Sequence, residues 1–267
     1  MDGCSGSAVP FSDGAIAVDI KGKTALITGA SSGLGQHMAR RFAEAGARVG
    51  ILGRDSAKLT VTQDACRTAG ADVCAVAGEI ADSGFVTQAF TQVERQLGPV
   101  DIVVNCAGIS LTTRKRVEDI DPELWDAFID TNLRGTFLTC RQALPGMRER
   151  GYGAIINIGS TGAHIARANV SVYAASKFAV RALTDSLIEE TDGSGVRICL
   201  VSAGPINTPF WDTFTGTPPM QPEEMLQPDD LADAAIWLIE RPANVRVDEI
   251  LLRPCAPTPR TAREVRP

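Results

Sequence analysis

Histidine is scarce in this chain. His37 and His164 are the only two, and no Cys-x-x-Cys pair accompanies them. A structural zinc site, which draws its ligands from clustered cysteine and histidine, is not expected. No apolar run approaches the roughly 18 residues that a membrane-spanning helix needs. Residues 1–19 lack a basic segment followed by an apolar one, so they do not read as a signal peptide. Basic residues are in deficit, with 26 Lys+Arg against 32 Asp+Glu and a net charge of −6. Nucleic acid and membrane surfaces, which reward basic clusters, are therefore not expected partners. The seven cysteines, at 4, 66, 74, 106, 140, 199 and 255, are odd in number and have no paired short spacing. They read as reduced thiols of a cytoplasmic protein rather than a disulfide framework.

What is present is ordinary for a globular chain: 267 residues, 44% of them apolar. A chain of this length buries about three quarters of its unfolded surface, so it needs no cross-links to hold a core. Short apolar runs at 23–28, 47–52, 72–77, 100–105, 153–158, 196–202 and 247–252 read as strands. Between them lie helix-length segments at 33–46, 56–70, 83–97, 122–150, 171–190 and 228–241. Apolar strands alternating with helices imply a parallel sheet covered on both faces. Asp55 is placed to cap the second helix, and Pro228 with Asp229 and Asp230 suits the first turn of the last one. We read residues 20–254 as a single domain, flanked by a flexible tail at 1–19 and a proline-bearing tail at 255–267.

Two local patterns carry chemistry. The stretch TGASSGLG at 28–35 follows the first strand and opens the first helix. Glycines there allow a tight turn and a close approach of phosphate to backbone, and the helix end supplies free N–H donors. A purely structural strand–helix turn is the alternative. The stretch YAASK at 173–177 places Tyr173 and Lys177 four residues apart, on one helical face. A fixed cation beside a phenol favours the phenolate, so the pair makes a tunable acid and base. A surface pair is the alternative. Ser160 lies thirteen residues before Tyr173, just after the fifth strand, and Asn132 lies in the long helical segment before that strand.

Taken together with DIVVNCAG at 101–108, TNLRG at 131–135, NIGS at 157–160 and AGPINTP at 203–209, the chain resembles the short-chain dehydrogenases/reductases over roughly residues 20–254. The resemblance implies a doubly wound Rossmann fold with a seven-stranded parallel sheet in the order 3-2-1-4-5-6-7. It also implies catalytic roles. Tyr173 would be the acid in reduction and the base in oxidation, and Ser160 would polarise the substrate carbonyl. Lys177 would hold the nicotinamide ribose and lower the phenol pKa. Asn132 would hold a water joining Lys177 to solvent. Cofactor contacts would come from Gly29, Ser31, Ser32, Gly33, Leu34, Gly35, Arg54, Glu79, Ile80, Asn105, Ala107, Gly108, Gly204, Ile206 and Thr208, together with Tyr173 and Lys177.

Three departures stand out. Cys106 replaces an asparagine that usually braces the sheet, Ala203 replaces a proline, and Glu79 stands where aspartate is common. The second strand ends in ILGRD at 51–55. Gly53 offers no carboxylate for a ribose 2′-hydroxyl, and Arg54 offers a guanidinium suited to a phosphate. NADP(H) is accordingly expected in preference to NAD(H), with Arg54 stacking on adenine as the alternative.

The expected reaction is reduction of a small ketone or aldehyde, or oxidation of the matching alcohol. Epimerisation or dehydration at the same site, or dinucleotide binding without turnover, are the alternatives. Thr161, His164, Phe210 and Trp211 are candidate substrate contacts, the last two within a proline-rich stretch over 203–227 that the resemblance implies is a lid; loop packing is the alternative for His164, and packing against the sheet for Phe210 and Trp211. The basic run Arg114-Lys115-Arg116 reads either as an anion attractor or as a solvated surface. Family members assemble as homodimers or homotetramers through their long helices, here 122–150 and 171–190.

Overall fold

The computed structural model describes residues 19–216 and 218–255. The two expected tails, apart from Asp19 and Cys255, lie outside the described residues. Seven parallel strands form one sheet: β1 (Thr24–Thr28), β2 (Arg48–Gly53), β3 (Val73–Ala77), β4 (Ile102–Asn105), β5 (Gly153–Ile158), β6 (Val196–Ala203) and β7 (Glu249–Leu252). Their order is β3-β2-β1-β4-β5-β6-β7, as expected from the sequence. Helices α1 (Gly33–Glu44), α2 (Ser56–Thr68) and α7 (Pro228–Ile239) cover one face. Helices α3 (Ser83–Leu97), α5 (Gly135–Arg150) and α6 (Ser171–Glu190) cover the other.

The strands are apolar on both sides because each face must be buried. On β5, Ala154, Ile156 and Ile158 pack toward α1 and α7, while Ile155 faces α5 and α6. On β6, Cys199 and Val201 take the first side and Val196 and Ile198 the second. Asp55 caps α2 by accepting the Lys58 N–H at 3.0 Å. Pro228 opens α7, with Asp229 and Asp230 in its first turn. Helices expected to reach Gly46 and Gly70 stop two residues earlier, and both glycines adopt positive φ just beyond the helix ends.

The segment 122–150, expected as one helix, is interrupted. Helix α4 (Pro122–Phe128) passes into a π-helical turn at Ile129–Arg134 before α5 begins. That widened turn carries Asn132, and such turns cluster at functional sites.

From β1 the chain winds outward to β3, then returns to place β4 on the other side of β1. The connections leaving β1 and β4 part in opposite directions, which opens a crevice beyond the carboxyl ends of these strands.

Phe42, fully buried between α1 and the sheet, anchors the first layer. Phe42→Ala should cost about 3–5 kcal/mol of stability, measured as a lowered denaturation midpoint in urea. An unchanged midpoint would contradict this packing.

Candidate active site

The crevice begins at Thr28, whose hydroxyl accepts the backbone N–H groups of Cys106 at 3.0 Å and Ala107 at 2.9 Å. This closes the ends of β1 and β4 on each other. Gly29 follows with φ +69°, and a Cβ on it would lie 2.7 Å from Ala107 Cα. At Gly35 a Cβ would strike the Gly29 carbonyl oxygen. Only glycine fits at either position, so the backbone turns sharply and stays bare.

A cleft of about 210 Å³ runs from this turn along the ends of β2 and β3. Eight of the expected cofactor residues line it: Gly29, Ser31, Ser32, Arg54, Glu79, Ile80, Ala107 and Gly108. Three features fit a dinucleotide. Helix α1 receives no side-chain cap at its N-terminus and has no acid in its first turn, so its N–H donors and positive dipole end are unanswered among the described residues. The buried Ser31 hydroxyl has no hydrogen-bond partner among the described residues. It also fills the space that a side chain on Gly53 would need. Arg54 reaches over the cleft, with its guanidinium 3.9 Å from the Glu79 carboxylate and both groups exposed.

The remaining expected cofactor residues sit around the cleft rather than along it. Thr208 packs near Gly33. Leu34 and Ile206 pack partly into the core. Gly204 binds through its N–H to the Leu252 carbonyl at 2.9 Å. Asn105 ends β4 beside the glycine turn. Its side chain turns away from the cleft into the sheet, where its amide donates to Asn157 Oδ1 at 2.8 Å and accepts from Thr139. Asn157 in turn donates to Thr184 at 2.9 Å. With cysteine at 106, the bracing of the sheet falls to this chain of buried polar groups. The sequence reading missed Lys58, Ile109 and Thr131, which also line the cleft. Lys58 lies one helical turn beyond Arg54, and that spacing was the available signal.

Tyr173, Lys177 and Ser160 are brought together at the Gly108 end of the cleft. Lys177 Nζ donates to the Ile158 carbonyl at 2.9 Å, and a Cβ on Gly108 would lie 3.8 Å from it. A Cβ on Gly162 would lie 3.3 Å from both Ser160 Oγ and the Tyr173 ring edge, so hydroxyl and phenol face one space. Ser160 Oγ accepts the Gly162 N–H at 3.0 Å, which holds the side chain in place. Tyr173 packs edge-on against Phe128, ring centroids 6.4 Å apart. Burial raises the Tyr173 phenol above its usual pKa, and the Ser160 hydroxyl acts in the opposite sense. Burial also lowers the Lys177 ammonium to about 8. Cys106 beside it is raised to about 12 by burial, against the pull of that cation.

Asn132 braces this group. Its Oδ1 accepts the Ile109 N–H at 2.7 Å, and its amide donates to the Ile109 carbonyl at 3.1 Å and to Ser176 Oγ at 2.9 Å. The π-helical turn thereby ties the loop after β4 to α6 at Ser176, the residue before Lys177.

The candidate substrate residues divide. Thr161 begins the short 3-10 turn Thr161–Ala163 that Ser160 caps. Phe210 and Trp211 stack with Phe214 in the lid, where Trp211 donates its indole N–H to the Ile206 carbonyl at 2.7 Å. The lid is strapped to the loop after β4, because Thr215 donates its backbone N–H to the Thr112 carbonyl at 2.8 Å. His164 closes the turn Thr161–Ala163. Its ring is bound on both nitrogens, by Arg181 and by Glu249 at 2.7 Å each, so no ring nitrogen is left for a substrate. In the basic run, Lys115 lies 3.7 Å from Asp121 and Arg116 lies 3.7 Å from Glu118, which matches the solvated-surface reading.

A sequence profile described as short chain dehydrogenase matches residues 23–218. The chain belongs to the short-chain dehydrogenase family. It is 35% identical to an uncharacterized oxidoreductase of Staphylococcus saprophyticus over 241 residues, covering 89% of this chain and 99% of that one. Among solved structures, a metagenomic short-chain oxidoreductase in complex with NADP superposes with a TM-score of 0.78 at 30% identity, covering 90% of this chain and 100% of that one. A 3-ketoacyl-(acyl-carrier-protein) reductase from Brucella melitensis, complexed with NADH, gives 0.79 at 33% identity, with coverage of 88% and 98%. This chain is thus an oxidoreductase of the short-chain dehydrogenase type. Among the described residues, no helix is long and apolar enough to cross a membrane.

Burial of Lys177 has a thermodynamic consequence. Between pH about 8 and its ordinary value of 10.5, the folded chain releases this proton before the unfolded chain does. The unfolded state then holds more protons, so this residue adds stability as pH rises through that window. In melting curves of the dinucleotide-free protein, the Tm of the wild type should gain on that of Lys177→Met from pH 8 to 10.5. Parallel curves would contradict the buried ammonium.

Proposed function

We propose that this chain is an NADP(H)-dependent carbonyl reductase, or alcohol dehydrogenase in the reverse direction, acting on a ketone or aldehyde of a small metabolite. The observation that carries the reading is the convergence of Ser160, Tyr173 and Lys177 on one space at the end of the cleft that follows the glycine turn. The nicotinamide, when bound, supplies the hydride.

The protein's residues supply the rest. Negative charge grows on the carbonyl oxygen during reduction, and a placed donor stabilises it most where water is excluded. Ser160 Oγ, already fixed by Gly162, donates one hydrogen bond to that oxygen. Tyr173 donates the second and passes its proton there, which completes the alcohol; in oxidation it takes the proton back. A phenol raised by burial holds its proton tightly and transfers poorly unless its anion is stabilised. Lys177 gives that stabilisation as a nearby cation and also binds the ribose hydroxyls. Asn132, whose Oδ1 keeps one lone pair beyond its bond to Ile109, holds the water that returns a proton to Lys177. The strapped lid with Phe210, Trp211 and Phe214 gives apolar cover, which suits a compact substrate.

Arg54 and Lys58 put two cations at the ribose end of the cleft, and Gly53 puts no carboxylate there. This supports NADP(H) over NAD(H). Glu79 pairs loosely with Arg54 and would yield it to a 2′-phosphate. Exposed Trp125, Phe137 and Phe178 on α4, α5 and α6 support a homodimer or homotetramer through these helices. The free thiols among the described residues fit a cytoplasmic location.

With a panel of small ketones and aldehydes, Tyr173→Phe should reduce NADPH consumption by at least about 100-fold while NADPH binding, followed by fluorescence, stays near wild type. Retained turnover would remove Tyr173 from its role. Net consumption of NADPH by the wild type also separates reduction from epimerisation, which recycles its cofactor. Arg54→Ala should raise KM for NADPH on the order of 10-fold or more, with little change for NADH. Equal effects on both would overturn the assignment.

A further inference from the structure

Four polar side chains meet behind the Ser160 turn. His164 Nε2 lies 2.7 Å from Glu249 Oε1, and His164 Nδ1 lies 2.7 Å from Arg181 Nη1. The Ser202 hydroxyl donates to the same Glu249 oxygen at 2.9 Å, and Arg181 Nη2 stands 3.6 Å from the other. A guanidinium can only donate, so Nδ1 is an acceptor and the imidazole proton sits on Nε2, donated to the carboxylate. His164 is therefore held as one neutral tautomer in one orientation. The His164–Glu249 pair is partly enclosed, 17% and 24% exposed, while Arg181 at 37% reaches toward solvent, so the bond between the pair is the less diluted by water.

The location of the cluster gives it a use. Ser160 begins a short turn in which Ala163 N–H bonds to the Ser160 carbonyl, and His164 and Ile165 N–H bond to the Thr161 carbonyl. Oγ of Ser160 is fixed by the Gly162 N–H of the same turn. His164 closes that turn, so its ring anchors the far end. At the near end, the Ser202 hydroxyl fills the space beside Gly159. Arg181 lies one helical turn beyond Lys177 on α6. Glu249, at the start of the edge strand β7, thus joins the serine turn to the helix bearing Tyr173 and Lys177, yet touches none of the three.

We propose that Glu249 is a positioning residue, which fixes the Ser160 hydroxyl relative to Tyr173 by orienting His164 between itself and Arg181. This rests on the carbonyl-reductase reading. A displacement of about 1 Å in a catalytic group can lower turnover by up to roughly 100-fold. Glu249→Ala should therefore lower kcat on the order of 10-fold, while NADPH affinity is unchanged because the cluster lies apart from the cleft. Glu249→Gln, which keeps an acceptor for His164 Nε2, should recover most of the loss. In a Ser160→Ala background the Glu249→Ala substitution should have almost no further effect, because the group it positions is gone.

A purely structural role would lower Tm and act equally in both backgrounds. Equal kcat losses with and without Ser160, or an unchanged kcat in Glu249→Ala, would overturn the proposal. Hydrogen exchange gives a readout independent of turnover. The amides of residues 162–165 should exchange several-fold faster in Glu249→Ala, with those of β1 unaffected. Unchanged exchange in the turn would also overturn the proposal. A wild type that binds NADPH but reduces no carbonyl would overturn the reductase reading instead, and exchange alone would then decide whether Glu249 holds the turn.

Discussion

Thr28 ends the central strand with its hydroxyl turned toward β4, where it accepts two successive backbone N–H groups. This contact keeps the middle of the sheet closed at the level where its connections diverge. The divergence leaves a crevice that no strand residue fills, and the close approach of Ala107 to Gly29 keeps the crevice floor free of side chains. An uncapped helix end and an unpartnered serine hydroxyl face the same space. Polar groups left unanswered inside a folded chain carry a cost, so their clustering here is best understood as capacity reserved for a ligand.

Across the crevice, α6 carries the proposed catalytic pair, Tyr173 and Lys177. Burying an ammonium is costly, and the lowered pKa of Lys177 records it. The Ile158 carbonyl offsets part of the cost and at the same time ties the helix to the end of β5, two residues from Ser160. Asn132 ties the same helix to the loop after β4 through Ser176. Two strand ends and one helix are thus cross-linked by polar side chains, alongside the apolar cluster of Leu111, Phe128 and Val172. Hydrogen bonds fix direction as well as distance, which apolar contacts do not, and a proton-transfer site requires both.

Much of this was legible beforehand. Short, mostly apolar runs marked the strands, because a strand buried on both faces favours apolar residues on both. Asp55 and Pro228 marked helix starts because their chemistry matches the unpaired groups found there. The glycine turn and the pairing of Tyr173 with Lys177 are local, and spacing along the chain reports on local geometry. The interruption of 122–150 was not legible: its composition suits an ordinary helix, and the π-helical turn serves contacts to Ile109 and Ser176, which lie far off in sequence.

The same division accounts for the partners of Asn105 and His164. Asn105 stands beside the cleft in sequence, but the amides and hydroxyls of Asn157, Thr139 and Thr184 draw its side chain into the sheet. His164 lies between two catalytic positions, but Arg181 and Glu249 take both its nitrogens. By itself the sequence determined the alternation of strand and helix, the glycine turn, and which acid, base and cation are available, because periodicity and short spacing dictate local backbone and facing. Only the tertiary structure decided where each polar side chain finds its partner. Such partners come from strands and helices separated by tens of residues, and a hydrogen bond exists only once the fold has brought both ends together.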